Sequence, residues 1–322
     1  LNVINLEFML PGSSGKDLDR QIDRVAIDVL KRTGYDVISR ANNHAMDFGR
    51  DGVGYNTRLL QQAEFKMMGT REFSGFTWKI GGYEIAIFSL TDSTDKPDPD
   101  RLILKIDASD LQIMRKAFSN ADFRIAFVHL GSISFYRSPH ERKQVKRIID
   151  SGADLVVCTG THFIKGFVYE DGKPVIYGIG DHPLFLVDND TEPVGMHFVA
   201  GFKKRKLVQL FVIPFHNITV QGRSAPLNEA AVASFKDVLT DRSSADLSRY
   251  YSDPQALAGF KEELRQLNFS KLKDLRARHF LYATGILFHN HPVMATTMGL
   301  VLFIVALMIT HRVIFRRMKR RI

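Results

Sequence analysis

Apolar residues recur along the first two thirds of the chain in two rhythms. Between Asp17 and Thr33 they fall at helical spacing (Ile22, Val25, Ala26, Val29, Leu30), which predicts an amphipathic helix closed by Gly34. Tyr35–Arg40 then reads as a short buried strand, and Asp51–Phe65 (Val53, Leu59, Leu60, Ala63) as a second helix. Further strands are predicted at Val3–Leu6, Phe65–Gly69, Phe76–Ile80 and Tyr83–Leu90, the last two joined at Gly81-Gly82. A polar, proline-bearing loop, Thr91–Asp100, follows them. Next come helix Asp110–Phe118, strand Phe123–His129, helix Pro139–Ser151 and strand Asp154–Cys158. Lys165–Tyr169 with Pro174–Gly178, and His197–Phe202 with Leu207–Ile213, read as hairpins. Strand–helix alternation interrupted by hairpins predicts an α/β fold with mixed sheets, not a pure doubly wound one.

The last third has a different pattern. Residues 227–285 read as a helical connector, with helices at Glu229–Leu239, Pro254–Leu267 and Lys271–Phe280. Val293–Thr310 then carries no charge, with Pro292 before it and a basic cluster after it. Extended by Val313–Phe315, with Arg312 snorkelling, it predicts a membrane-spanning helix over residues 293–315. The basic tail 316–322 then belongs on the cytoplasmic side, and the globular part outside the cell membrane. His289 and His291 precede the span and read as juxtamembrane residues, metal binding being their other reading. The chain opens at Leu1 on the strand-like L-N-V-I-N-L-E, which reads as a processed chain or a fragment.

Charge and cysteine content narrow the function classes. Of the formal +9 over 322 residues, six charges sit at Arg312, Arg316, Arg317, Lys319, Arg320 and Arg321, leaving +3 for the rest. With no basic stripe interleaved with aromatics, nucleic acid is not an expected partner. Cys158, the sole cysteine, rules out an internal disulfide and a thiolate metal cluster, and its apolar neighbours read as core. There is no G-x-G-x-x-G and no Walker loop, so neither a dinucleotide nor a P-loop reading has support.

Candidate chemistry lies at predicted strand ends. Asn42, Asn43 and His44 follow the Tyr35–Arg40 strand, at the carboxyl end where open α/β sheets bind ligands. Asp47 is placed to orient His44. The same N-N-H stretch also fits plain turn chemistry, in which Asn and Asp satisfy local backbone groups. His129 and His162 end or follow two more strands, and Asn5 and Glu7 belong to the first one. Imidazole, amide oxygen and carboxylate at neighbouring strand tips are the ingredients of a divalent metal site.

Several segments together resemble one family. They are N-L-E at Asn5–Glu7, T-G-Y-D-V-I-S-R-A-N-N-H-A-M-D-F-G ending at Gly49, and V-H-L-G at Val128–Gly131. D-S-G-A-D-L-V-V at Asp150–Val157, T-H-F-I-K-G at Thr161–Gly166 and G-K-P-V-I-Y-G-I-G-D at Gly172–Asp181 complete the set. In order and spacing, over roughly Leu1–Pro226, they resemble the CapA family of capsule-synthesis proteins associated with poly-γ-glutamate. That family's domain is related to the calcineurin-like metallophosphoesterases. The resemblance implies a four-layer α/β/β/α sandwich over residues 1–226, with Asn43 a metal-ligand amide and His44 the site histidine. Asn5 and Glu7 would line the same pocket, and His129 and His162 would supply metal-ligand imidazoles or phosphate contacts. The chain also departs from the family pattern. An upstream strand ending in Gly-Asp would precede Leu1, Ile133 stands in place of an acid, and Thr159 and Gly160 in place of two histidines. Gly180-Asp181-His182 replaces G-N-F, which makes Asp181 and His182 the candidates to compensate.

Two functional expectations result. In the first, a membrane-anchored protein works in synthesis or export of an extracellular anionic polymer such as poly-γ-glutamate, beside polymer synthetase subunits. Asn5, Asn42, Asp181 and His182 would then contact the polymer. In the second, a divalent metal held by Glu7, Asn43, His129 and His162 supports hydrolysis of a phosphoester or amide, with His44 and Asp47 catalytic. A third, purely structural reading has the Asn and His residues cap strands. Lys146, Arg147, Lys203, Lys204, Arg205 and Lys206 either attract the polyanion or form solvated faces.

Overall fold

The computed structural model describes residues 2–7, 10, 17–131, 137–180, 194–203, 206–218 and 223–226. Its first sheet is parallel: β1 (Val3–Asn5), β2 (Val37–Ser39) and β3 (Lys66–Met68) lie in that order. Helix α1 (Asp17–Arg32) links β1 to β2, and α2 (Gly49–Gln62) links β2 to β3. One face of this sheet is covered by the two helices through Ile4, Ile27, Leu30, Ile38, Leu60 and Met67. The helical spacing of Ile27 and Leu30 in α1, and of Val53 and Leu60 in α2, is what lets each helix bury one stripe.

The second sheet has six strands in the order β4 (Gly75–Ile80), β5 (Tyr83–Thr91), β6 (Phe123–His129), β7 (Leu155–Thr159), β9 (Lys173–Ile176), β8 (Phe167–Glu170). Strands β5, β6, β7 and β9 run parallel, while β4 and β8 pair antiparallel at the edges. Alternation along β5 shows why the sequence chooses a strand buried on both faces. Ala86, Phe88 and Leu90 face α3 (Ala108–Phe118) and α4 (Pro139–Asp150), whereas Ile85 and Ile87 face the first sheet with Val37 and Met68. Two helical pairs therefore lie outside two sheets that pack against each other. A third, antiparallel sheet of β10 (Val194–Lys203), β11 (Lys206–Ile218) and β12 (Arg223–Pro226) adds Met196 and Val212 to the core between the sheets.

Local signals explain several boundaries. Helix α4 starts at a capping box: Ser138 Oγ accepts from Glu141 N, the Glu141 carboxylate accepts from Ser138 N, and Pro139 takes the first helical position. Asp107 caps α3 by accepting from Asp110 N. Cys158 is fully buried, and burial pushes its thiol pKa up, as expected of a core residue.

The α/β class with mixed sheets is as expected, and most elements fall within a few residues of their predicted places. Three differences stand out. Asn43–Met46, read as loop, winds into a single 3₁₀ turn. The eighth strand starts at Phe167, not Lys165, because Lys165 turns fully inward. The short polar β12 forms through backbone pairing with β11 and has no periodic pattern to announce it. The expected span 293–315, connector 227–285 and tail 316–322 lie outside the described residues. Among the described residues no helix is long and apolar enough to cross a membrane.

Candidate functional site

Parallel pairing brings the carboxyl ends of β5, β6 and β7 together, and the register sets Thr91, His129 and Thr159 side by side. The first sheet ends at the same place. Asn5 closes β1, and Asn42 follows β2 by three residues. A buried Ser39 Oγ to Ser89 Oγ hydrogen bond of 2.7 Å ties the two sheets just beneath. At the tips a polar chain crosses between them: Asn42 Nδ2 donates to Leu6 O at 2.7 Å and lies 3.3 Å from Asn5 Oδ1, while Asn5 Nδ2 lies 3.1 Å from His129 Nδ1. Residues far apart in sequence thus form one cluster.

His129 is 8% exposed, and its other nitrogen lies toward Glu7. Its Nε2 lies 3.8 Å from Glu7 Oε1, and His162 Nε2 lies 3.7 Å from that same oxygen. Burial lowers the His129 pKa to about 3, with repulsion from His162 and then His44 adding to it, so the ring is neutral at physiological pH. Gly160 seats the ring: a Cβ there would fall 2.5 Å from His129 Nε2, and its φ of +87° is a conformation that side chains disfavour. The residue that resemblance would make a histidine is therefore incompatible with His129 as it is placed. His162 itself has φ +58°, unusual for a non-glycine residue.

A second group lies on the 3₁₀ turn. His44 Nδ1 is 2.9 Å from Asp47 Oδ2, the orienting pair expected from their spacing, and 3.8 Å from Asp95 Oδ2. Asn43 Nδ2 donates to Asp95 Oδ2 at 3.1 Å, and Asn43 O accepts from Asp95 N at 2.7 Å. The Oδ1 atoms of both Asn42 and Asn43 are buried and lack a hydrogen-bond partner. Such acceptors are costly unless a ligand or an ordered water meets them.

The structure thus brings together Asn5, Glu7, Asn42, His129 and His162, and on the 3₁₀ turn pairs His44 with Asp47 and sets Asn43 and His44 beside Asp95. Asp181 and His182 lie outside the described residues. For a metal, the donors fit in kind but not in arrangement. Among the described residues no group of three or more His, Cys, Asp or Glu side chains could hold a metal ion.

Sequence reasoning missed Asp95 and Asp92, both read only as polar loop. Asp92 N donates to His129 O at 3.0 Å, and the Asp92 carboxylate meets His140 Nε2 at 2.7 Å and Gln144 Nε2 at 2.9 Å. The signal available was an acid-rich loop directly following a buried strand. Of the proposed polyanion contacts, Lys146 is engaged by Asp150 and Asp171, and Arg147 by Ile106 O and Gln144. Lys203 is exposed, while Lys204, Arg205 and the Lys206 side chain are not described.

Compared with known proteins, residues 1–183 match the family model described as "Bacterial capsule synthesis protein PGA_cap". The chain is 24% identical over 182 residues to the "Capsule biosynthesis protein CapA" of Bacillus anthracis, covering 52% of this chain and 44% of that protein. It is 23% identical over 183 residues to the "PGA biosynthesis protein CapA" of Bacillus subtilis (strain 168), covering 52% and 47%. The chain spans about half the length of these relatives. Among solved structures it is similar to a sulfate thiohydrolase SoxB of Thermus thermophilus, with a TM-score of 0.44 and 15% identity over 70% of this chain and 40% of that one.

Proposed function

Because this chain belongs to the bacterial capsule synthesis protein (PGA_cap) family, we propose that it acts in biosynthesis or export of an extracellular anionic polymer of the poly-γ-glutamate type. It is anchored in the cell membrane by residues 293–315, with its globular part outside and its basic tail inside, beside the polymer synthetase. The names of the two relatives, a capsule and a PGA biosynthesis protein, support this reading. The uncharged run Val293–Thr310 followed by the Arg312 cluster supports the anchor.

One observation carries the role of the site: the buried Oδ1 atoms of Asn42, in the cluster with Asn5 and neutral His129, and of Asn43, beside Asp95, stand without protein partners. The cluster is richer in acceptors than in cations. It suits the amide N–H groups of a polyamide, or its amino end, better than its side-chain carboxylates. The polymer is thereby bound and positioned with no bond broken at this site, and the metal chemistry of the resemblance is lost with Thr159 and Gly160. The test is equilibrium binding of poly-γ-glutamate by the solubilised full chain, with hyaluronate as a polyanion of different backbone. Binding of the first and not the second, weakened at least tenfold by Asn42→Ala, is the expected result. Equal binding of both, or none, overturns the reading.

The same unpartnered oxygens favour a second reading, a metal-dependent hydrolase of a phosphoester or of the polymer's amide, since acceptors also suit a cation. A stoichiometric divalent metal in the purified full chain, lost in His162→Ala, would establish it in place of the first.

A further inference from the structure

The polar chain at the strand tips fixes the protonation of His129 atom by atom. Leu6 O only accepts, so the Asn42 atom 2.7 Å from it is the NH2 nitrogen. That same nitrogen lies 3.3 Å from an oxygen of Asn5, which turns the Asn5 NH2 group toward His129 Nδ1 at 3.1 Å. An amide NH2 donates and does not accept. Nδ1 therefore receives a hydrogen bond in its lone pair, and the proton of the neutral ring sits on Nε2. Among the described residues the other group near Nδ1, Thr159 Oγ1 at 3.5 Å, is a hydroxyl that serves either role and does not oppose this order.

We infer that Asn42 and Asn5 are positioning residues that hold His129 as an Nε2–H donor, so that this imidazole meets an acceptor oxygen of the ligand and does not ligate a metal through Nε2. Ligation through Nε2 needs the proton on Nδ1, where it would face the Asn5 NH2 group, donor against donor. Metal-ligating histidines ordinarily have a carboxylate, carbonyl or water at the second nitrogen, and here an amide NH2 stands in that position. Glu7 Oε1, at 3.8 Å, is beyond hydrogen-bond reach of Nε2, which leaves the proton for a ligand oxygen between or beside them. The Glu7 carboxylate repels another carboxylate, so a neutral oxygen such as an amide carbonyl is the favoured acceptor. Identifying that amide with the polymer backbone rests on the proposed function; the state of the ring does not.

The test is an imidazole 15N–1H correlation spectrum of the solubilised full chain, with His129 assigned by comparison with His129→Gln. Protonated Nε2 and bare Nδ1 are expected. Asn5→Asp replaces the NH2 donor with an acceptor, so the proton should move to Nδ1 and Zn2+ should bind about 10- to 100-fold more tightly. Asn5→Asp/His129→Gln should show no such gain. A wild-type ring protonated at Nδ1 overturns the inference, as does an equal Zn2+ gain in the double variant, which would trace to the added charge alone. The spectrum needs no polymer. A correct tautomer in a protein that fails to bind poly-γ-glutamate would sink the proposed function and leave this inference standing.

Discussion

Lys165 Nζ lies 2.5 Å from Glu141 Oε1, and the two side chains are 0% and 1% exposed. The pair joins the capping box of α4 to the Thr161–Lys165 loop, which carries His162. Burial draws the Lys165 pKa down while the Glu141 charge opposes the change. Gly131 fits between the two segments only because it lacks a Cβ, which would run into Thr161 Cγ2 and Glu141 Oε1. Breaking such a pair from one side strands a buried charge. Lys165→Met should lower stability by about 3–5 kcal/mol. Adding Glu141→Gln should return part of that loss, as read from urea midpoints of the single and double variants.

Gly160→Ala tests the seat of His129. The new methyl group would overlap the imidazole in a backbone conformation that costs about 1–3 kcal/mol for a non-glycine residue. Melting should show a loss of that size, and poly-γ-glutamate binding should weaken by more than tenfold because the ring is displaced. Unchanged binding with the stability loss present would separate His129 from the ligand.

The buried imidazole also sets a pH dependence. The folded ring takes a proton only near pH 3, whereas the unfolded one does so near 6.5. Between those values the unfolded state holds more protons, so this contribution is complete above about pH 6.5 and is lost as pH falls through the window. The slope is up to about 1.4 kcal/mol per pH unit. Urea midpoints at pH 7 and 5 should fall more steeply for the wild type than for His129→Gln, since the carboxylates common to both cancel. Parallel slopes would show that His129 does not resist protonation.

How much of this was legible depended on range. Periodicity placed α1, α2, α4, β5 and β6 because each buries a regular face, such as Ile85 and Ile87 against Ala86 and Phe88. The His44–Asp47 pair was readable from three-residue spacing on one turn. The Asn5–His129 contact spans 124 residues and depends on strand order, which no local pattern encodes. Strand-end placement suggested a shared site, and the family resemblance put both in one pocket. Lys165 was hidden inside an apolar run, where a lone lysine reads as a strand's solvent face until Glu141 is seen beside it. Asp95 reads as loop because its partner, Asn43, lies on a different sheet's connection.

The most direct measurement is poly-γ-glutamate binding by the solubilised full chain in the presence of excess chelator, for wild type and His162→Ala. Chelator-resistant binding that falls at least tenfold in the variant is the predicted result. Binding abolished by the chelator and restored by a divalent metal would contradict a polymer-positioning site and make the metal-dependent hydrolase the correct reading.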